Sequence, residues 1–288
     1  MLVLDLGVFH RSGHVVKVRE AMLWSVAWIA MAVAFAILVF FWHGRAPALE
    51  FVTGYVIELS LSVDNLFVFL LIFRFFKVSS EQQHRVLFWG IIGALVMRAV
   101  FILLGVGLIR RFEWVTYIFG ALLLFSGIKL FLQEESEIHP ENNPVLKLFR
   151  RLVPVTEDYV GGKFFVRRGT LYATPLFVVL VVVETTDVAF AVDSIPAILA
   201  ITLNAFIVYT SNVFAIMGLR SMYFALAGLM EMFRYLHYGL SLVLSFIGVK
   251  MLIAHYFVVP TAYALATVGG ILLLSVLASV IHPAKKAA

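Results

Sequence analysis

Glu184-Thr-Thr-Asp187-Val-Ala-Phe-Ala-Val-Asp193-Ser194-Ile-Pro196 sets three carboxylates inside an otherwise apolar run. No charged residue lies between Tyr172 and Val183, and none follows Asp193 before Arg220. A carboxylate at the centre of a bilayer costs roughly 2.5–3.5 kcal/mol on insertion scales, and acids held there mark ion or proton sites by default. A weaker copy, Glu58-Leu-Ser-Leu-Ser-Val-Asp64-Asn65-Leu66, lies upstream. Glu58 precedes Asp64 by the interval that separates Asp187 from Asp193. The doubling argues against acids that merely end or cap buried helices.

Composition agrees with a bilayer setting. The 288 residues are 62% hydrophobic and only 14% charged, whereas soluble domains carry about 25% charged residues. This is the signature of an all-α polytopic membrane protein. With no cysteine, disulfides, thiolate metal sites and cysteine nucleophiles are excluded. The net charge of +5 records membrane topology and does not point to nucleic acid.

Eight apolar stretches are long enough to span about 30 Å of hydrocarbon: 21–42, 51–73, 86–109, 114–132, 171–193, 204–226, 238–258 and 262–281. Residues 1–9 read as the last two turns of a further helix whose beginning is missing. The long polar segment, 133–170, reads as a solvated loop with a short helix at 144–152. Of the 22 Lys and Arg, 15 fall on the side of this loop and three on the other. The positive-inside rule therefore predicts a cytoplasmic 133–170 loop and a cytoplasmic C-terminus.

The duplication extends beyond the acids. Asp64, Arg98 and Lys129 correspond in order to Asp193, Arg220 and Lys250, at offsets of 129, 122 and 121 residues. Each unit is an acid helix, an Arg helix and a Gly-x-Lys helix. Three spans per unit make successive units enter the membrane from opposite sides, an inverted repeat of the kind common in secondary transporters. The expected organisation is N-terminal helices over 1–47, unit one over 48–132 and the loop over 133–170. Unit two then covers 171–258, and a last helix with a tail covers 259–288.

Glu184 and Asp187, three apart, share a helix face. Asp193 does not, but a break at Pro196 would swing Asp193 and Ser194 back toward them and expose main-chain carbonyls. The candidate ligands are Glu58, Asp64, Asn65, Glu184, Asp187, Asp193 and Ser194. All offer oxygen, which suits Mg²⁺, Ca²⁺ or Mn²⁺. No histidine falls in a span core. Arg98 and Arg220 are expected to hold these acids when no cation is bound and to release them when one arrives. Lys129 and Lys250, near span ends, are expected to snorkel.

Several strings resemble the TerC family of integral membrane proteins. They are Asp5-Leu-Gly-Val-Phe-His10-Arg11, Glu58 through Phe69, His84-Arg-Val-Leu-Phe-Trp-Gly90, Pro154-Val-Thr, Glu184 through Ile198, and Tyr209-Thr-Ser-Asn212 with the later Leu-Arg220. The resemblance covers essentially the whole chain. It implies a bacterial inner-membrane protein of a family linked to tellurium resistance, with Alx-like members associated with manganese export and a relation to LysE-type exporters. It maps the family's acidic membrane positions onto Glu58, Asp64, Asn65, Glu184, Asp187 and Asp193, and it implies a full helix before Asp5.

The expectation is therefore an exporter of a hard divalent cation, Mn²⁺ first, with proton coupling through the clustered carboxylates. The protein is expected to be no enzyme and to hold no prosthetic group. Its partners would be the metal ion and the bilayer, with homo-oligomers or a membrane complex open. The alternative is a non-transporting scaffold that binds Mn²⁺ or Ca²⁺ structurally. An intramembrane aspartyl protease using Asp64 and Asp193 leaves Glu184 and Asp187 without a role. Direct transport of tellurite does not fit a cage of carboxylates.

Overall fold

The computed structural model describes residues 18–132, 146–147, 149, 153–226 and 235–281. The elements are α1 (Val18–His43), α2 (Arg45–Phe75), α3 (Ser80–Arg111), α4 (Val115–Leu132), β1 (Phe165–Arg168), β2 (Thr170–Ala173), α5 (Pro175–Leu199), α6 (Ala205–Leu226), α7 (Leu236–Ile253) and α8 (Thr261–Ile281). Among the described residues, eight helices are long and apolar enough to cross a bilayer. Residues 1–9, with Asp5, and most of 144–152 lie outside the described residues.

The acid helices α2 and α5 contact each other, and the Arg helices α3 and α6 pack on each other, α3 also on α5 and α6 also on α2. α1 lies on α2 and α6, and α8 lies on α2 and α7. The core runs through Ile57, Leu66, Ile72, Val86, Ile102, Val179, Ile198, Val208 and Ile247. The outer faces carry exposed Leu23, Phe41, Leu103, Phe125, Leu274 and Ile281. Apolar faces of that extent on a polytopic helical bundle are lipid-facing, because helices satisfy their own backbone groups and need no water there.

α4 and α7 cross through small residues. A Cβ added at Gly248 would lie 2.8 Å from Gly120 O and 2.7 Å from Leu124 N, and one at Gly127 would lie 2.8 Å from Ser241 O. The 121-residue offset carries Gly120 onto Ser241 and Gly127 onto Gly248. The two contacts therefore exchange under the repeat, as an axis passing between α4 and α7 requires. Small residues are the usual route to close helix contact in lipid. Gly248→Val forces a side chain against backbone that cannot turn aside. We expect it to cost about 1–3 kcal/mol, the usual range for overpacking, read as a lowered melting temperature of the detergent-purified protein.

The polar segment contains structure that apolar periodicity does not reveal. β1 and β2 pair antiparallel with Arg168 opposite Thr170, and Gly169 between them has φ +79°, a value that glycine adopts without steric cost. The fifth span accordingly starts at Pro175, not 171, with proline in its first turn. It ends at Leu199, not 193. The segment folds back on the start of α3 and the end of α2: Gln82 Nε2 donates to Gly161 O at 2.8 Å, Arg85 donates to Gly162 O, and Tyr159 donates to Phe76 O at 2.7 Å. Burial pushes the Tyr159 phenol above its usual range, so it stays a donor. The seventh span also ends earlier than expected, at Ile253, where Tyr256 and Phe257 N–H groups close turns on Ile253 O.

Candidate functional site

Arg98 sits about 27 Å along α3 from Ser80 at 1.5 Å per residue, near the middle of the span. It is only 1% exposed. Its Nη1 lies 2.5 Å from Glu58 Oε1 of α2 and donates to Ser194 Oγ of α5 and Asn212 Oδ1 of α6, both at 2.8 Å. Its Nη2 lies 3.9 Å from Asp187 Oδ1. One guanidinium thus joins four helices. A buried arginine paired with carboxylates on two of them is the expected way to keep such charges in hydrocarbon.

The helix period explains which side chains meet. On α5, Ser194 is seven residues beyond Asp187, and at about 100° per residue it returns to within about 20° of the same line. On α2, Ser62 is four residues beyond Glu58, and its hydroxyl donates to Glu58 Oε1 at 3.1 Å. Asn65, seven beyond Glu58, shares that face and is buried, but it is not a partner of Arg98. Glu58 Oε2 and Asp187 Oδ2 are buried and find no hydrogen-bond partner. A buried carboxylate oxygen without a partner is costly and calls for an explanation.

Two expectations about α5 need correction. The helix is continuous from Pro175 to Leu199 and carries Pro196 within it. Proline removes one N–H and disturbs the carbonyl four residues back. This close to the C-terminus that affects a single rung, and the chain stays helical. Ser194 therefore reaches the site by ordinary helix geometry. Asp193 does not reach it. Six residues beyond Asp187, it lies about 120° round the helix, and Ser126 Oγ of α4 donates to its Oδ1 at 2.7 Å.

Glu184, half-buried, lies about one turn before Asp187 on the same face of α5. A Cβ at Gly93 of α3 would run into the Glu184 carboxylate. Gly93→Ala should thus displace the carboxylate without disturbing the fold, since the displaced group is the end of a flexible side chain. The expected result is an unchanged melting temperature of the detergent-purified protein.

The Asp64 side chain lies outside the described residues; its backbone is in α2. Arg220 is buried in α6, about 12 Å along the helix from Asn212. Lys250 does not simply snorkel: its Nζ donates at 2.8 Å to Ala200 O, just past the C-terminus of α5, where a helix favours a cation. Asn212 is a site residue that the acid pattern does not reveal, because it lies on an Arg helix. The available signal is its position eight residues before Arg220, in a helix otherwise poor in amides. Among the described residues, no group of three or more His, Asp or Glu is gathered as a metal site; the guanidinium stands between the carboxylates.

The family described as "Integral membrane protein TerC family" is matched by residues 43–287. The chain is 50% identical over 282 residues to "Uncharacterized membrane protein STKORF319" of Myxococcus xanthus, covering 98% of this chain and 88% of that one. It is 47% identical over 286 residues to "Putative membrane-bound redox modulator Alx" of Escherichia coli, covering 96% and 89%. It is 43% identical over 283 residues to an "Uncharacterized membrane protein" of Rickettsia bellii, covering 98% and 94%. No solved structure matches it.

Proposed function

The chain belongs to the TerC family of integral membrane proteins, and from that premise we propose that it exports a hard divalent cation, Mn²⁺ first, through the Arg98 cluster. The observation that carries this reading is the seat of the guanidinium. A positive charge sits at mid-membrane among oxygens of Glu58, Asp187, Ser194 and Asn212, with two carboxylate oxygens left unpartnered. Carboxylate, hydroxyl and amide oxygens are the donors that hard cations prefer.

In this mechanism Arg98 and the cation alternate. With no cargo, Arg98 neutralises Glu58 and Asp187. An arriving cation meets Glu184 first and then Asp187. It draws Glu58 and Asp187 onto itself and frees the guanidinium. The two units, crossing through α4 and α7, then rock to open the site to the other side. The 133–170 loop and the C-terminus lie in the cytoplasm, where Lys and Arg are concentrated, and the protein resides in the bacterial inner membrane. The relatives named as redox modulators do not imply thiol chemistry here, since this chain has no cysteine. A redox effect would follow from the size of the metal pool.

The test is cellular metal content in a Mn-sensitive bacterium lacking its own exporter. Expression of the chain is expected to lower Mn several-fold. Unchanged Mn, Mg and Ca, with the protein verified in the membrane, would instead favour the non-transporting scaffold.

A further inference from the structure

We infer that Asn212 is a ligand of the transported cation and helps set its preference among hard divalent ions. This deepens the proposed function and rests on it. Asn212 is fully buried in α6. Its Nδ2 donates to Val208 O, four residues back, at 2.8 Å. That bond fixes the amide, since a flipped amide would set its carbonyl oxygen against Val208 O and its N–H groups against the guanidinium. The carbonyl oxygen is therefore held facing the site. The neighbouring Ser211 is not available there: its hydroxyl donates to the same Val208 O at 3.0 Å, and it packs against Gly54.

The coordination count points the same way. Nη1 of an arginine has two hydrogens. Three oxygens from three helices lie around it: Glu58 Oε1, Ser194 Oγ and Asn212 Oδ1. Three acceptors exceed what two hydrogens satisfy. A metal ion has no such limit and takes about six oxygens. Once Arg98 leaves, these three oxygens and Asp187 converge on the point it vacates. The charges then balance, with two carboxylates against one divalent ion, and Asn212 adds a donor without adding charge.

The competing account is that Asn212 only positions Arg98. Mn²⁺ binding to purified protein, followed by electron paramagnetic resonance, separates the two when Asn212→Ala is made in the wild-type chain and in Arg98→Met. A ligand role predicts a dissociation constant raised at least tenfold in both backgrounds. It also predicts a shifted ratio of Mn²⁺ to Ca²⁺ affinity, and partial recovery with Asn212→Asp. An effect confined to the wild-type background, or none in either, overturns the inference. If Arg98→Met does not fold, the Mn²⁺/Ca²⁺ affinity ratio of Asn212→Ala in the wild-type chain decides, and an unchanged ratio overturns it. A wild-type chain that binds no Mn²⁺ fails the proposed function itself, an outcome distinct from a wild-type chain that binds Mn²⁺ regardless of residue 212.

Discussion

Asp187→Asn is expected to abolish Mn²⁺ flux in proteoliposomes, with kcat/KM falling at least a hundredfold, about 2.7 kcal/mol or more. The substitution keeps the shape of the side chain and removes its charge. Arg98 retains its shorter pairing with Glu58, so the fold should tolerate the change and the melting temperature should move little. On the proposed function the loss is specific, because Asp187 would supply one of the two charges that a divalent cation must find. Asp193→Asn is the matched control on the same helix, six residues away. Its carboxylate is turned to Ser126, so Mn²⁺ affinity should stay within about twofold of wild type. Equal losses of affinity in the two variants would contradict the site as drawn. Full flux through Asp187→Asn would remove its central acid.

Arg98→Met should have the largest effect on stability. Breaking a buried ion pair by removing one partner costs about 3–5 kcal/mol, because the other charge stays behind unpaired. Glu58 and Asp187 are both left in that condition. The expected result is a sharply lowered melting temperature, recovered in large part by the double variant Glu58→Gln/Arg98→Met, which still fails to transport. Added Mn²⁺ provides the discriminating measurement. If the guanidinium occupies the seat of the cargo, Mn²⁺ should stabilise Arg98→Met far more than wild type, by about 2.7 kcal/mol at a hundred times its dissociation constant. No thermal shift with Mn²⁺ in the folded variant would mean that the two charges do not share a seat.

The eight spans were legible because apolar runs of about twenty residues leave few alternatives. Their ends were less so. Residues 171–173 are apolar enough to extend a span, yet they pair with β1, and Pro175 starts the helix. The site was legible through its acids: Glu58 and Asp187 stand out against their surroundings and do meet at Arg98. Asp193 stands out equally and goes elsewhere. Charge in a sequence announces a cost but does not say which neighbour relieves it, and in a helix that Pro196 leaves intact the ordinary period carries Asp193 toward α4. Asn212 shows the reverse. It is neutral, and only the packing of α3 on α6 brings its carbonyl oxygen to Arg98.

The seat of Arg98 also sets how this protein would answer to supply. A cation must compete with a tethered charge that never diffuses away. If the guanidinium stands aside only about one per cent of the time, the apparent dissociation constant is about a hundredfold weaker than the bare oxygens would give. For an exporter that weakness is a threshold. On the proposed function, the metal the cell needs would stay below it and be left alone, and only surplus would reach the concentration that displaces the arginine.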